Sequence, residues 1–324
     1  MKTPTTEQMR IVAQVAANFW QVPLDQVVDQ IGTIEVVKFT GGKVSGFLPA
    51  HSGIPSVFYK VYTNNAFRFE QAGLDAAALM PKIEGVSTPT VLAIMPECKA
   101  VILEKRTWED TDSPWKRLWV NRLGINWYNV GTWLRAFHDT QVTNETNNYF
   151  LRRKYEKFES HVEDLKHMFN LEQLQKMGQI YQSAREYFEN ETTEWVLSHG
   201  DFGLANIKKT GNELEIIDFE DCQPAPRAFD IINLIARIEH YSYVLHSHSA
   251  FDDFTEKFLE GYNKQAQQNV STKFIYLLIK LDMIETYYRR KKTATNLFTR
   301  SVFSYYQYGV FKSLTAWLKI DEVY

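Results

Sequence analysis

The sequence predicts an α+β protein of two unequal lobes, a small antiparallel sheet with one internal helix followed by a mainly helical part. Three observations carry this reading. β-branched and aromatic runs of strand length are concentrated before Glu104, long stretches of helical periodicity follow it, and that periodicity is interrupted once, between Val196 and Phe219. The lobes are accordingly divided into residues 1–104 and 105–324.

From Thr6 to Trp20 the apolar residues Met9, Val12, Val15, Ala16 and Phe19 recur at three- and four-residue spacing, so a helix with one apolar face is expected to cap the sheet. The period then changes. Ile34–Phe39 and Val57–Tyr62 are strand-like runs separated by a segment rich in Gly, Ser and Pro. A helix is expected from Phe67 to Met80, then strands near Thr90–Ile94 and Val101–Leu103. In the second lobe, Trp133, Leu134, Phe137 and His138 lie on one helix face, as do Phe251, Phe254, Phe258, Leu259 and Tyr262. Aromatic side chains at this spacing belong more often to a core than to a ligand cage.

Composition excludes several function classes. The 324 residues are 44% hydrophobic and 23% charged with a formal net charge of -3, ordinary for a globular protein and unlike one that neutralises nucleic-acid phosphates. The basic run Arg289 to Lys292 reads as a solvated helix turn. Cys98 and Cys222 are far apart and lack metal-ligand spacing, so both are expected to be free thiols in a reducing compartment. The first residues lack a signal-peptide pattern and no apolar run approaches the ~18 residues of a membrane span, which points to the cytoplasm with no membrane partner. The pattern carries no signal for an oligomeric state.

The interruption of the helical lobe carries the chemistry. It reads Leu197-Ser198-His199-Gly200-Asp201-Phe202-Gly203-Leu204-Ala205-Asn206-Ile207, then Leu214-Glu215-Ile216-Ile217-Asp218-Phe219-Glu220. Phosphoryl transfer between hydroxyl-type oxygens needs a carboxylate to orient the nucleophile and accept its proton, and oxygen ligands to hold magnesium against the phosphates. Asp201, Asn206 and Asp218 supply that set. Gly211-Asn212 is a hairpin turn signal, which lets Asn206 and Asp218 sit on neighbouring strand ends.

These residues resemble the catalytic loop and metal-binding segment of the aminoglycoside phosphotransferase and choline kinase superfamily. The family pattern is His-Gly-Asp, four residues, Asn, then an apolar strand ending in Ile-Asp, an aromatic residue and an acid, and every position is met here. The resemblance implies a bilobal protein-kinase-like fold and an ATP- and magnesium-dependent transfer of phosphate to a small-molecule hydroxyl. By the same resemblance Asp201 is the catalytic base, Asn206 and Asp218 are metal ligands, and Asp230 in Pro226-Arg227-Ala228-Phe229-Asp230 braces the loop. Glu220 stands as either a further metal ligand or a bystander.

In the first lobe, Phe39-Thr40-Gly41-Gly42 closes the first strand, and Gly41 and Gly42 would let backbone N–H groups approach phosphate. The segment 42–54 lacks a clean Gly-x-Gly-x-x-Gly. Lys60 lies between apolar neighbours, where a buried ammonium needs an anion; it is either the phosphate-binding lysine or a snorkelling edge residue. Its helix partner is Glu70, in a Glu-x-x-Gly-Leu stretch similar to related kinases, or alternatively Asp75. Val101-Ile102-Leu103-Glu104 resembles the hinge strand whose backbone meets adenine, which brings Glu104 into the nucleotide-binding set by position.

The expected acceptor pocket lies in the helices after Asp230 and in the segment 149–194. A cationic acceptor is one option, drawn by Asp221, Glu239, Asp252 and Asp253 with Tyr241, Tyr243 and Phe251, against a merely solvated helix face. Amino alcohols, sugars and aminoglycoside-like molecules all remain open. The alternative to an enzyme is a catalytically silent, nucleotide-binding pseudokinase scaffold. A protein kinase is disfavoured because only a short segment separates Asp218 from Pro226, leaving no room for a long activation loop.

Overall fold

The computed structural model describes residues 4–28, 31–40, 42–106, 124–143, 146–190, 194–245, 248–262 and 270–319. Helix α1 (Thr6–Trp20) starts at Thr5, whose hydroxyl accepts the Gln8 amide at 3.3 Å while Gln8 Oε1 accepts the Thr5 amide at 2.8 Å. This reciprocal box satisfies two N–H groups that have no partner within the helix. The short α2 (Leu24–Val28) leads into strands β1 (Glu35–Thr40), β2 (Lys43–Leu48) and β3 (Val57–Tyr62), helix α3 (Ala66–Leu79), the two-residue β4 (Val86–Ser87), and strands β5 (Val91–Met95) and β6 (Ala100–Glu104). The antiparallel sheet has the order β1-β2-β3-β6-β5.

Strand alternation decides which side chains reach the rest of the protein. Val57, Tyr59 and Val61 of β3 join Val12, Val15, Ala16 and Trp20 of α1 in one apolar cluster, together with Ala100 and Ile102 of β6. Phe58, Lys60 and Tyr62 therefore face the other way. Tyr62, Val101 and Leu103 enter the larger core that continues into the helical lobe, so the two lobes share packing. The strand β2 occupies the segment that its Gly, Ser and Pro content marks as a connection. Val44 and Leu48 enter the α1 cluster, which leaves Lys43 and Ser45 on the face of Lys60, with Ser45 opposite Lys60 and Lys43 opposite Tyr62.

The second lobe contains α4 (Trp127–Asp139), β7 (Val142–Thr143), α5 (Asn148–Leu165), α6 (Leu171–Asn190), β8 (Trp195–Ser198), β9 (Ile207–Thr210), β10 (Glu213–Ile216), β11 (Gln223–Pro226), α7 (Ala228–Leu245), α8 (His248–Tyr262), α9 (Val270–Thr293) and α10 (Leu297–Lys319). Helix α4 lies along α8, and α9 packs on α5, α6, α7 and α10. The non-helical insertion is broader than the sequence suggests, because β11 and β7 flank β8 in a second small sheet. β11 reads Gln-Pro-Ala-Pro and forms an edge, where a missing N–H breaks no ladder. No described helix is long and apolar enough to cross a membrane.

Candidate active site

The loop after β8 is held by a buried carboxylate. Asp230, near the start of α7 and fully buried, accepts the His199 amide on Oδ2 at 2.7 Å and the Gly200 amide on Oδ1 at 3.0 Å. His138 Nε2 adds a third bond to Asp230 Oδ2 at 3.0 Å, and His138 Nδ1 meets the Tyr262 hydroxyl at 2.7 Å. Burial opposes the charge on Asp230, yet His138 and the backbone amides hold its carboxyl below the ordinary range. Gly200 is required here: its φ is +84°, and a Cβ would lie 2.1 Å from the Asp221 carbonyl oxygen.

This brace presents Asp201, whose side chain is 46% exposed. Its Oδ2 accepts from Asn206 Nδ2 at 3.2 Å, and its Oδ1 accepts from Arg237 Nη2 at 3.2 Å. Arg237 is itself fixed by Asn233 Oδ1 at 2.7 Å. Asn206 Nδ2 also donates to the Asp201 carbonyl at 2.8 Å, which leaves Asn206 Oδ1 as the atom it can offer a cation.

The β9–β10 hairpin carries Asn206 to Asp218. Gly211 takes φ +60° in the two-residue turn, Ile207 pairs with Ile216, and the Ile217 amide donates to the Asn206 carbonyl at 3.0 Å. His199 Nε2 donates to the Ile217 carbonyl at 3.0 Å, joining the loop to the strand end. Asp218 then adopts φ +71°, a left-handed conformation that costs a non-glycine residue about 1 kcal/mol or more. The strain is offset by charge. Asp218 Oδ1 lies 2.9 Å from Lys60 Nζ and 3.3 Å from Lys43 Nζ, and Lys60 Nζ also lies 2.8 Å from Glu70 Oε1. Lys43 pairs in addition with Glu220.

Lys60 is 6% exposed and Glu70 1% exposed. Burial disfavours the ammonium, but Glu70 and then Asp218 outweigh it and raise the Lys60 pKa well above its ordinary value. Burial likewise opposes ionisation of Asp218, and Lys60 and Lys43 overcome it, holding the carboxyl well below the usual carboxylate range. β3 is central in its sheet, so Lys60 is not a snorkelling edge residue. Of its two candidate partners, Glu70 meets it while Asp75 is exposed.

Both acidic segments rest on one aromatic floor. Trp133 of α4 stacks with Phe202 at 6.1 Å between centroids, and Phe137, one turn on, lies 5.7 Å from Phe219. Phe219 also presses against α3 at Gly73, where a Cβ would fall 2.6 Å from Phe219 Cβ. The glycine of Glu-x-x-Gly-Leu thus lets the lysine's helix seat directly on the residue after Asp218.

Asp201, Asn206, Asp218 and Glu220 line a single cavity of about 450 Å³. A second of about 350 Å³ adjoins it and shares Asp201, Arg237 and Asp282. Glu104 lines neither; its carboxylate accepts from Arg106 Nε at 3.3 Å. Gly41 lies outside the described residues. At Gly42 the space a Cβ would need is filled by the Asn64 side chain, and the Gly42 carbonyl accepts the Thr63 amide at 3.0 Å. Of the acidic residues considered for a cationic acceptor, Asp221 lines the second cavity, Glu239 pairs with Lys280 at 2.7 Å, and Asp252 and Asp253 are exposed. The side chains of Tyr241 and Tyr243 lie outside the described residues.

Sequence reasoning missed Lys43, Arg237 and Asp282. The first was legible from strand alternation had β2 been recognised. Asp282 sits on α9, where Lys157 Nζ reaches it at 2.7 Å, and no local pattern distinguishes it or Arg237 from a solvated helix face. Among the described residues no three His, Cys, Asp or Glu side chains form a ready metal cage. The donors nonetheless suit magnesium, which binds through one or two carboxylates plus phosphate and water oxygens: Asp218, Asn206 and Glu220 offer only oxygens beside a lysine pair.

No curated protein matches this chain. Among solved structures it is similar to a choline/ethanolamine kinase family protein from Mesorhizobium loti, with a TM-score of 0.57 at 15% identity over 96% of both chains. It is also similar to a glucosamine kinase in complex with glucosamine, ADP and inorganic phosphate, with a TM-score of 0.54 at 14% identity over 86% of this chain and 82% of the other. An amicoumacin kinase in complex with AMP-PNP and Ca2+ gives a TM-score of 0.53 at 12% identity over 89% and 93%. These likenesses establish a kinase-like α+β fold. A family model described as the phosphotransferase enzyme family matches residues 99–271, more than half of the sequence, and the chain belongs to that family.

Proposed function

We propose that this protein is an ATP-dependent small-molecule kinase that transfers the γ-phosphoryl group to an acceptor hydroxyl in the cleft between residues 1–104 and 105–324. The observation that carries the reading is that Asp201, Asn206, Asp218 and Glu220 line one cavity while Lys60 reaches Asp218 from the sheet at 2.9 Å. Asp201, held on both oxygens, orients the acceptor hydroxyl and takes its proton. The new bond forms between that oxygen and the γ-phosphorus; the bond to the β–γ bridging oxygen breaks, and its electron pair leaves with ADP.

Lys60, tethered by Glu70, is positioned to meet the nucleotide phosphates. Asn206 and Asp218, with Glu220, are the residues that would hold magnesium, which supplies charge neutralisation along the phosphates when bound. Arg237 positions Asp201. One observation favours the second reading of a silent nucleotide-binding scaffold: Lys43 pairs with both Asp218 and Glu220, the carboxylates a metal would use.

ADP release with a panel of hydroxylated metabolites separates the two. Wild type is expected to exceed Asp201→Asn by about 100- to 10,000-fold with at least one acceptor, the contribution of a positioned base. Equal rates with every acceptor overturn the assignment.

A further inference from the structure

The cavity that shares Asp201 with the one lined by Asp218 but is not itself lined by Asp218 has an unusual charge arrangement. Helix α5 contributes Lys154 and Lys157, α7 contributes Arg237, and the facing carboxylates are Asp201, Asp221 and Asp282. Two of these acids are already engaged: Asp282 pairs with Lys157 at 2.7 Å and Asp201 with Arg237 at 3.2 Å. Lys154 is different. Its ammonium lies 4.4 Å from the centroid of the Phe229 ring and 4.9 Å from that of Phe150, both buried, and among the described residues no carboxylate pairs with it. Gly200, Asp201, Lys154 and both rings line the same space of about 350 Å³.

Two aromatic faces stabilise a cation but do not neutralise it, and a half-buried ammonium without an anion is costly. Burial, then repulsion from Lys157, pushes the Lys154 amine down to about 8, so a bound anion would restore the charged form. Arg153, exposed at the rim of the cavity, adds a further positive charge. A polycationic acceptor would have to bring its charges beside these groups and would find Asp201 and Asp282 already paired, with Asp221 the one facing carboxylate to which no cation is bonded among the described residues.

Resting on the kinase reading above, we infer that the acceptor is anionic: a small hydroxylated molecule bearing a carboxylate or phosphate that pairs with Lys154 while its hydroxyl meets Asp201. The space of about 350 Å³ is large enough for such a metabolite. Lys154 acts as a binding residue for the group that does not react.

The test compares glycerate, 4-hydroxybutyrate and glycerol 3-phosphate with glycerol, ethanolamine, choline and glucosamine, following ADP release and phosphorylated product for wild type, Lys154→Met, Lys154→Arg and Asp201→Asn. The expected result is turnover of a carboxylate or phosphate acceptor by wild type, the better of the two telling which anion is recognised. Lys154→Met should raise its KM about 10- to 100-fold with kcat changed far less, the loss of roughly 1.4–2.8 kcal/mol of binding. Lys154→Arg, which keeps the charge, should recover most of the KM. A lower KM for ethanolamine, choline or glucosamine than for every anionic compound, lost in Asp201→Asn, overturns the anionic acceptor and leaves the kinase reading standing. An unchanged KM in a folded Lys154→Met overturns the role of Lys154. No turnover of any compound by wild type overturns both.

Discussion

Replacing Lys60 by Met tests whether the buried ion pair is structural support for the cleft as well as a phosphate grip. Lys60 Nζ lies 2.8 Å from Glu70 Oε1, and Glu70 is 1% exposed with its Oε2 already lacking a hydrogen-bond partner. Removing the ammonium strands a buried carboxylate, a change that costs about 3–5 kcal/mol. Asp218 is less affected, since it keeps Lys43 at 3.3 Å and its side chain is 22% exposed. At about 2 °C per kcal/mol for a chain of this size, the melting temperature should fall by about 6–10 °C. Lys60→Met/Glu70→Gln removes the stranded charge and should recover part of that loss, giving a coupling energy of about 1–3 kcal/mol. Because the Lys60 pKa is raised in the fold, its contribution is complete below the unfolded value of about 10.4 and is lost only at higher pH, so the deficit should be equal at about pH 7 and about pH 9. Thermal and denaturant unfolding of Lys60→Met, Glu70→Gln and the double variant measure this. A Lys60→Met melting temperature within about 2 °C of wild type, or a double variant losing the sum of both single losses, refutes the reasoning.

Gly73→Ala places a Cβ 2.6 Å from Phe219 Cβ, so it should cost about 1–3 kcal/mol in denaturant unfolding and lower kcat by displacing Asp218; unchanged kcat would show that α3 does not set the Asp218 position. Lys43→Met removes the cation paired with Glu220 and one of the two on Asp218, which keeps Lys60, so Mn2+ titrated without nucleotide should bind about tenfold more tightly; unchanged affinity means Lys43 and metal do not share these carboxylates. Burial, against the pull of Asp230, pushes the His138 imidazole below its ordinary value, so the unfolded chain takes up a proton near pH 6.5 that the folded chain refuses. Stability should therefore fall as pH drops from about 7.5 to about 5.5, and His138→Asn, less stable at both, should show a flatter slope in denaturant titrations.

The elements read from periodicity agree with the structure to within a residue across α1, β1, β3, α3, β5 and β6, because apolar spacing there reflects a single buried face. The loop and hairpin around Asp201, Asn206 and Asp218 were legible for another reason: glycine and turn chemistry at Gly200 and Gly211 leave few backbone solutions. What escaped was whatever depends on tertiary register. β2 hides behind Gly46 and Pro49, and with it Lys43, whose role appears only when β2 is laid beside β3. Lys154, Arg237 and Asp282 sit on three separate helices and look like surface charges until α5, α7 and α9 are packed together. At the end of β6 the Glu104 side chain accepts from Arg106, while the hinge reading of Val101–Glu104 rests on backbone groups, which side-chain chemistry in the sequence does not report.

The aromatic seat beneath Phe202 and Phe219 divides the protein's evolutionary freedom. Since the rings next to Asp201 and Asp218 lean on neighbouring turns of α4, the spacing of these two acids is inherited from the hydrophobic interior and resists drift. Arg153 and Lys154 border the other chamber from α5 and not from α4, so the charge they present can change without replacing any ring of that seat. New specificities could arise on that rim while the phosphate-handling geometry stays untouched.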